Sequence, residues 1–235
     1  ASVSLTNATG ATFDVSAAAS ANAATGEAEA DAYNEYAVYQ EAYAYGADAD
    51  AAVSLANAGA ISIGATAKAG GASATGAYAY ADSYDAIYQY AFADDGNASA
   101  DVTNSAGATI NIAANATAAG SEATAYAYNE EGIYQDAYAE GADNDATATI
   151  NNAGSFAMAA NANANGATDA YAYVDLYTGI QQYAEATDGG NASASLANAT
   201  GGAITISALA NANAPLGSAE AEAYIGTGVS QEAYA

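Results

Sequence analysis

The acidic residues are the side chains best suited to chemistry in this chain, because they are numerous and have almost no basic partners. The 235 residues include 27 aspartates and glutamates but a single basic residue, Lys68, so the formal net charge is −26. Stacked turns rich in aspartate would bring several oxygen ligands together, as Ca²⁺ requires. The candidate ligands are Asp48, Asp50, Asp94, Asp95, Asp143, Asp145 and Asp188. Ordinary turn formation explains the same residues. Ca²⁺ is therefore only a possible ligand, and we expect no other cofactor.

The missing residue types exclude most enzyme classes. With no histidine and no cysteine, the usual nucleophile–base pairs and soft-metal sites cannot form. One basic residue leaves no basic patch for nucleic acid or acidic lipid. The sequence also has no run of about 18 apolar residues, the length needed to cross a membrane. Paired carboxylates could hydrolyse a polysaccharide, but none occupies a unique, non-repeated setting. We therefore expect a protein that is not an enzyme, does not bind nucleic acid and does not insert into membranes.

Asparagine and glutamine recur at a regular spacing along the whole chain. The glutamine of an apolar-x-Gln triplet recurs at spacings of 49, 46, 47 and 49 residues, as Gln40, Gln89, Gln135, Gln182 and Gln231. An asparagine that precedes a turn recurs in step with it, as Asn7, Asn57, Asn104, Asn152 and Asn198. The sequence therefore predicts one repeat domain, residues 1–235, with five tandem units of about 47 residues. Each unit also divides into two related halves of about 23–24 residues.

The local pattern indicates β-strands rather than helices. Alanine is the best helix former, but here it occupies every second position, as between Ala123 and Tyr128. Period two places one set of side chains on each face of a strand. Large aliphatic residues and phenylalanine make up only about 12% of the chain, too few for a globular core. Stacked coils would instead share a thin alanine core, and we expect an all-β, two-sheet β-solenoid.

Two coil lengths are compatible with this repeat. One solenoid has about ten coils of 23–24 residues with two strands each, and the other has five coils of 47 residues with four strands each. The longer coil would stack acidic outward positions about 4.8 Å apart, which costs energy without counterions. These positions are Glu41, Asp136, Glu185 and Glu232. The shorter coil doubles that distance, so we favour about ten coils, with five 47-residue coils as the alternative.

The recurring amides and the tyrosines are predicted to lie on opposite faces of the strands. The ten amides share the parity of the alanine set, so we expect them inside, in hydrogen-bonded ladders or bonded to corner backbone groups. Seventeen of the 20 tyrosines take the outward parity. Tyrosine has high β-propensity, but aromatic rows also supply rigid contact area at low entropic cost. The predicted contact residues are Tyr39, Tyr43, Tyr78, Tyr80, Tyr88, Tyr90, Tyr126, Tyr128, Tyr134 and Tyr138.

Over all five units, the sequence resembles the Ala/Gly/Asn-rich repeat regions of large bacterial extracellular proteins and, loosely, the curlin-type functional amyloids. The resemblance rests on two-strand repeats of about 23 residues with internal asparagine and glutamine. The curlin pattern of Ser, two Gln, Gly and Asn at fixed spacing is not reproduced. The resemblance implies an extracellular or cell-surface structural protein. We expect the shaft of a self-assembling surface filament or biofilm-matrix fibre, which contacts its own copies end to end and laterally, and which adheres to surfaces or polysaccharide.

Other functions are compatible with the same repeat. The leading alternative is a monomeric stalk within a large bacterial adhesin. A calcium-binding solenoid would use the aspartates named above. An ice-binding solenoid would need a regular threonine row, and Thr147 and Thr149 begin one. The equivalent positions in other units are Ser2, Ser4, Ala52 and Ser54, so that row is not kept.

Overall fold

The computed structural model describes residues 1–71 and 73–235, and within these residues the chain forms thirteen strands and no helix. Nothing in the described part is therefore a helix that could cross a membrane. The strands are β1 (Ser2–Asn7), β2 (Thr12–Asn22), β3 (Gly26–Tyr45), β4 (Ala51–Asn57), β5 (Ala60–Gly70), β6 (Ala74–Asp94), β7 (Ala98–Asn104), β8 (Thr109–Glu140), β9 (Ala146–Asn152), β10 (Ser155–Ala186), β11 (Ala192–Asn198), β12 (Ala203–Asn213) and β13 (Ser218–Tyr234).

One coil of the solenoid takes about 47 residues. Strands β1, β2 and β3 form the first coil, and β4 starts the second, where Asn7 pairs with Asn57 in parallel register. Strands β7, β9 and β11 start the next three coils in the same way. The prediction of an all-β, two-sheet solenoid is confirmed, but the preferred coil of 23–24 residues is wrong and the five-coil alternative is correct. At about 4.8 Å per coil, the stack is about 24 Å tall.

Tyrosine resolves the charge repulsion that led us to prefer the shorter coil. One row of stacked outward positions reads Glu41, Tyr90, Asp136, Tyr183 and Glu232 from the first coil to the last. Acidic residues in this row are therefore two coils apart, about 9.6 Å, although the coils themselves are 4.8 Å apart. Glu185 lies in the neighbouring row, between Tyr138 and Tyr234. Acidic and aromatic residues thus alternate between successive 47-residue coils. The alternation does not require two different coils of 23–24 residues.

Each coil is flattened into two layers. The long layer consists of β3, β6, the second halves of β8 and β10, and β13, all in parallel pairs. The opposite layer consists of the five-stranded sheet β1-β4-β7-β9-β11, followed along the chain by β2, β5, the first halves of β8 and β10, and β12. Strands β8 and β10 continue through the corner between layers, and their pairing resumes beyond it after an irregularity between Gly166 and Asp169.

The core between the layers has three compartments. The middle compartment holds the large aliphatic residues, such as Leu55, Ile112 and Met158, which are almost fully buried. A compartment on each side is lined almost entirely by alanine, for example Ala116 in one and Ala137 in the other. Alanine buries little area per residue. The stability of the fold must therefore depend heavily on hydrogen bonds between coils.

Candidate functional site: the tyrosine face, the amide ladders and the corners

All 20 tyrosines lie on the long layer. We call its outward side the tyrosine face, formed by the outward residues of β3, β6, β13 and the second halves of β8 and β10. Strand β3 alone has 20 residues, which corresponds to about 65 Å of extended chain. Period-two alternation sends every second side chain outward, and parallel register stacks these side chains in rows. The fold therefore presents one broad aromatic surface.

Aromatic rings along this face stack on one another from coil to coil. The Tyr39 and Tyr88 rings are 4.9 Å apart with planes 9° apart, and the Tyr88 and Tyr134 rings are 5.2 Å apart with planes 6° apart. The rings of Phe92 and Tyr138 stack in the same manner, at 5.6 Å. Pairs of this kind contribute about 0.5–1.5 kcal/mol beyond the area that they bury. The stacking therefore makes these rows rigid.

The ten tyrosines predicted as contact residues all lie on the tyrosine face, with side chains that are exposed or half-buried. Those of the first coil are the more open, and Tyr39 is 53% exposed. Tyr33, Tyr45 and Tyr177, which the sequence analysis left out of the contact set, are more exposed still. They lie near a bend or the end of the layer, where fewer neighbours cover them. The accessible aromatic surface is therefore larger than predicted.

Tyrosine hydroxyls on this face donate hydrogen bonds to carboxylates two residues away on the same strand. Tyr39 donates to Glu41, and Tyr234 donates to Glu232 over 3.0 Å. Residues two apart in a strand share a face, so the spacing of two was the available signal. The face is consequently a lattice of phenols and carboxylates rather than a purely aromatic surface.

Burial and these neighbouring carboxylates raise the pKa of several tyrosines, including Tyr39, Tyr90 and Tyr134. Desolvation, followed by the charge of Asp136, raises the pKa of Tyr134 to about 12. The same two causes raise the pKa of Tyr90 to about 12. For Tyr39, the hydrogen bond to Glu41 is the largest cause of a rise to about 12. In each case a phenolate would add negative charge beside an existing carboxylate.

We expect Tyr39, Tyr90 and Tyr134 of the folded protein to resist ionisation until well above pH 10. A pKa that the fold raises contributes stability that is complete below the unfolded value of about 10 and is lost as the pH rises through about 12. Ultraviolet absorbance of phenolate against pH measures ionisation, and circular dichroism follows the fold. The urea-unfolded chain is the control and is expected to titrate near pH 10. A native chain that titrates together with the unfolded one would contradict the lattice.

The long layer contains an acidic pair that the sequence analysis missed. The in–out alternation breaks at Asp85, Ala86 and Ile87, which are all buried. Asp85 pairs in register with Glu131 of the next coil and is only 7% exposed. Desolvation, followed by the charge and hydrogen bonding of Glu131, raises the pKa of Asp85 to about 7. Two carboxyl groups stacked in register do not both ionise readily, so the fold favours one proton on the pair up to about neutral pH.

All ten recurring amides lie in two continuous hydrogen-bonded ladders between coils. Each asparagine Nδ2 donates to the Oδ1 of the asparagine in the next coil, at 2.7–2.8 Å. Each glutamine Nε2 donates to the Oε1 of the glutamine in the preceding coil, at 2.8 Å. The two ladders therefore run in opposite directions along the stack. Their middle members are almost fully buried, so the fold depends on these bonds.

The corner aspartates act in turn formation. Asp48, Asp95, Asp143 and Asp188 take left-handed backbone conformations with φ between 58° and 66°. Asp50 and Asp145 accept hydrogen bonds from the asparagines stacked on them, Asn97 and Asn191. Asp94 pairs with Glu140 at the end of the long layer. Within residues 1–71 and 73–235, no three acidic side chains converge so that they could hold a metal ion. The candidate calcium ligands thus form no assembled set.

The outward side of the opposite layer carries small residues. The row that contains Thr147 also contains Ser2, Ala52, Ser99 and Ser193. The threonine row considered for ice binding is therefore interrupted in the structure as it is in the sequence. This side offers few large groups for contact.

Comparison of the chain with protein-family models, with curated proteins and with solved structures finds no significant match. The resemblance to extracellular repeat proteins therefore remains an expectation from the sequence.

Proposed function

We propose that this protein is a non-enzymatic structural component of an extracellular or cell-surface fibre, built by stacking of coils. The observation that carries the proposal is the in-register stacking of every coil on the next, through parallel backbone pairs and amide ladders, which a further copy can continue. Val229 in the last coil is 41% exposed, whereas Ile180, the equivalent residue one coil earlier, is 1% exposed. Strands β1 and β11 are the outer strands of their sheet. An edge with unpaired backbone groups is a template for another strand.

The tyrosine face supports lateral contact as the second part of this function. Its rings are already ordered by stacking, so binding would cost little side-chain entropy. It carries much more aromatic area than the small-residue side, because all 20 tyrosines are on it. Phenol and carboxylate groups together also suit the hydroxyl-rich surface of a polysaccharide. The face therefore favours fibre–fibre contact or adhesion, and the net charge of −26 disfavours nucleic acid.

A monomeric stalk of a larger adhesin is the second candidate. The same charge favours it, because identical chains carrying −26 repel one another at low ionic strength. Electron microscopy in high salt, where this repulsion is screened, separates the two candidates. A fibre protein forms filaments of indefinite length. A stalk stays as discrete particles about 24 Å tall, and that outcome would reject the fibre.

Replacing exposed tyrosines by serine tests the lateral contact. In high salt we expect Tyr39→Ser, Tyr43→Ser and Tyr78→Ser together to reduce side-by-side bundling of filaments while the β-sheet circular dichroism persists. The reason is the loss of three of the seven exposed tyrosines of the first two coils on that face. The matched control is Ser99→Ala with Thr147→Ala on the small-residue side. Bundles of unchanged width in the tyrosine variant would reject the lateral role.

A further inference from the structure

The two amide ladders give the solenoid a direction. At the first coil, Asn7 Oδ1 receives no hydrogen bond from a preceding asparagine, while Gln40 Nε2 donates only to the Ser54 carbonyl oxygen. At the last coil, Asn198 Nδ2 donates to Gly202 of its own coil, and Gln231 Oε1 receives no bond from a following glutamine. One end thus offers an asparagine acceptor and a glutamine donor, and the other offers the reverse.

These ends are complementary to each other but not to themselves. If the last coil of one copy stacks on the first coil of another, Asn198 can donate to Asn7 and Gln40 can donate to Gln231, as in every interior junction. The apolar interior positions also match, because Ile206 would meet Val15 in the same row. In the asparagine ladder, two first coils would place acceptor against acceptor, and two last coils would place donor against donor. A contact between unlike ends does not close and continues as a filament.

The same stacking places like charges together on the tyrosine face. Three rows begin and end with a carboxylate, so the junction would pair Glu220 with Glu29, Glu222 with Asp31, and Glu232 with Glu41. Interior junctions contain at most two such pairs in their register. The interior pairs are Asp85 with Glu131, Asp94 with Glu140, and Glu122 with Asp169.

Among the residues that the structure describes, the surroundings of the junction carboxylates offer no basic side chain. Glu29 lies between Glu27 and Asp31 along its strand and beside Tyr78 of the next coil. Lys68, the single basic side chain, belongs to β5 in the opposite layer. The other groups that face the junction carboxylates are carboxylates or phenols as well: Tyr39, Tyr43, Tyr80 and Tyr90 in the first two coils, and Tyr171, Tyr173, Tyr183, Tyr224 and Tyr234 in the last two.

We propose that copies of this chain stack head to tail, last coil on first coil, and that the three facing carboxylate pairs hold this junction open at neutral pH and low salt. The inference rests on the proposed fibre function and adds its polarity and its control. Counterions that screen the pairs allow the amide ladders to join, so the association constant is expected to rise with the salt concentration.

Neutral glutamines at the last coil test the control without lowering the pH toward the isoelectric point. We expect Glu220→Gln, Glu222→Gln and Glu232→Gln together to assemble at neutral pH and low salt, at a concentration at least about tenfold below that needed by the wild type. The matched control changes three acidic residues of interior coils, Glu122→Gln, Asp175→Asn and Glu185→Gln, and so has the same net charge. Light scattering and electron microscopy measure assembly.

The outcomes separate this inference from the fibre function. If the wild type or the interior-coil variant assembles as readily as the last-coil variant, the junction carboxylates do not regulate assembly. The fibre function would still stand. A last-coil variant that stays monomeric in low salt, while the wild type forms filaments in high salt, also overturns the control. If nothing assembles in either salt condition, the fibre function itself fails.

Mixing two blocked variants tests the polarity. Ile206→Asp places a charge on the open side of the last coil, and Val15→Asp does so on the open side of the first; both positions are only partly buried. In high salt we expect each variant to stay monomeric alone and the equimolar mixture to form dimers through the unblocked ends. Dimers of either variant alone would mean contact between like ends and would overturn the polarity. Circular dichroism confirms that both variants fold.

Discussion

Replacing Asn104 by alanine is expected to lower the free energy of unfolding by about 3 kcal/mol. Asn104 is 2% exposed and lies in the middle of the asparagine ladder. It accepts a hydrogen bond from Asn57 and donates one to Asn152, each at 2.8 Å, and donates a third to the Ser155 carbonyl oxygen at 3.1 Å. Truncation removes all three bonds. It also leaves buried polar atoms above and below without partners, which costs more than the bonds themselves contribute.

Chemical denaturation followed by circular dichroism measures this loss, and Asn198→Ala is the matched control. Asn198 is the last member of the ladder and is exposed, so water can replace its bonds. We expect the control to lose less than about 1 kcal/mol. Equal losses at the two positions would mean that the ladder contributes no more in the middle than at its end. The role assigned to the buried amides would then be wrong.

Replacing Asp85 by asparagine is expected to stabilise the protein by about 2 kcal/mol at mildly alkaline pH. The fold raises the pKa of Asp85 to about 7, so the folded state favours the protonated form. That contribution is complete below the unfolded value near 4 and is lost as the pH rises through about 7. A shift of this size corresponds to about 4 kcal/mol, which we halve because the partner Glu131 is still partly solvated. Asparagine keeps the shape and cannot ionise.

Unfolding free energies between about pH 5 and pH 9 check this expectation. Wild type should lose stability as the pH rises across that range, and Asp85→Asn should lose less. Asp188→Asn is the control, because Asp188 is exposed at a corner and asparagine tolerates its left-handed backbone conformation. A wild type with the same pH dependence as Asp85→Asn would show that the acidic pair does not share a proton in the fold.

Much of this fold could be predicted from the sequence because its main signal is local. Period two along a strand decides which side chains point inward, so the thin alanine core, the inward amides and the outward tyrosines follow from parity alone. The length of the coil does not, because both candidate lengths preserve the same parity. The coil length could have been decided by comparing each outward acidic residue with the residue one 47-residue unit further along the chain. Tyr90 stands one unit after Glu41 and one unit before Asp136.

The remaining features depend on geometry that no spacing encodes. The direction of each amide ladder depends on whether the side-chain amide donates to the next coil or to the preceding one. The sequence around Asn104 and Gln135 does not show this orientation. The proton sharing of Asp85 depends on a local break in alternation that buries three consecutive residues. For the corner aspartates, composition was compatible with turns or with calcium ligands. The left-handed conformation of Asp48 and its equivalents indicates turns.

The rows of acidic and aromatic residues make the identity of the terminal coils consequential. With an odd number, such as the five here, an alternating row starts and finishes with the same kind of residue, as the row from Glu41 to Glu232 does. A four-coil form without residues 1–50 would start that row with Tyr90 and finish it with Glu232, and the other two junction rows would start with Tyr78 and Tyr80. No like charges would then meet. Loss of the first coil would thus switch copies from repelling to accepting one another.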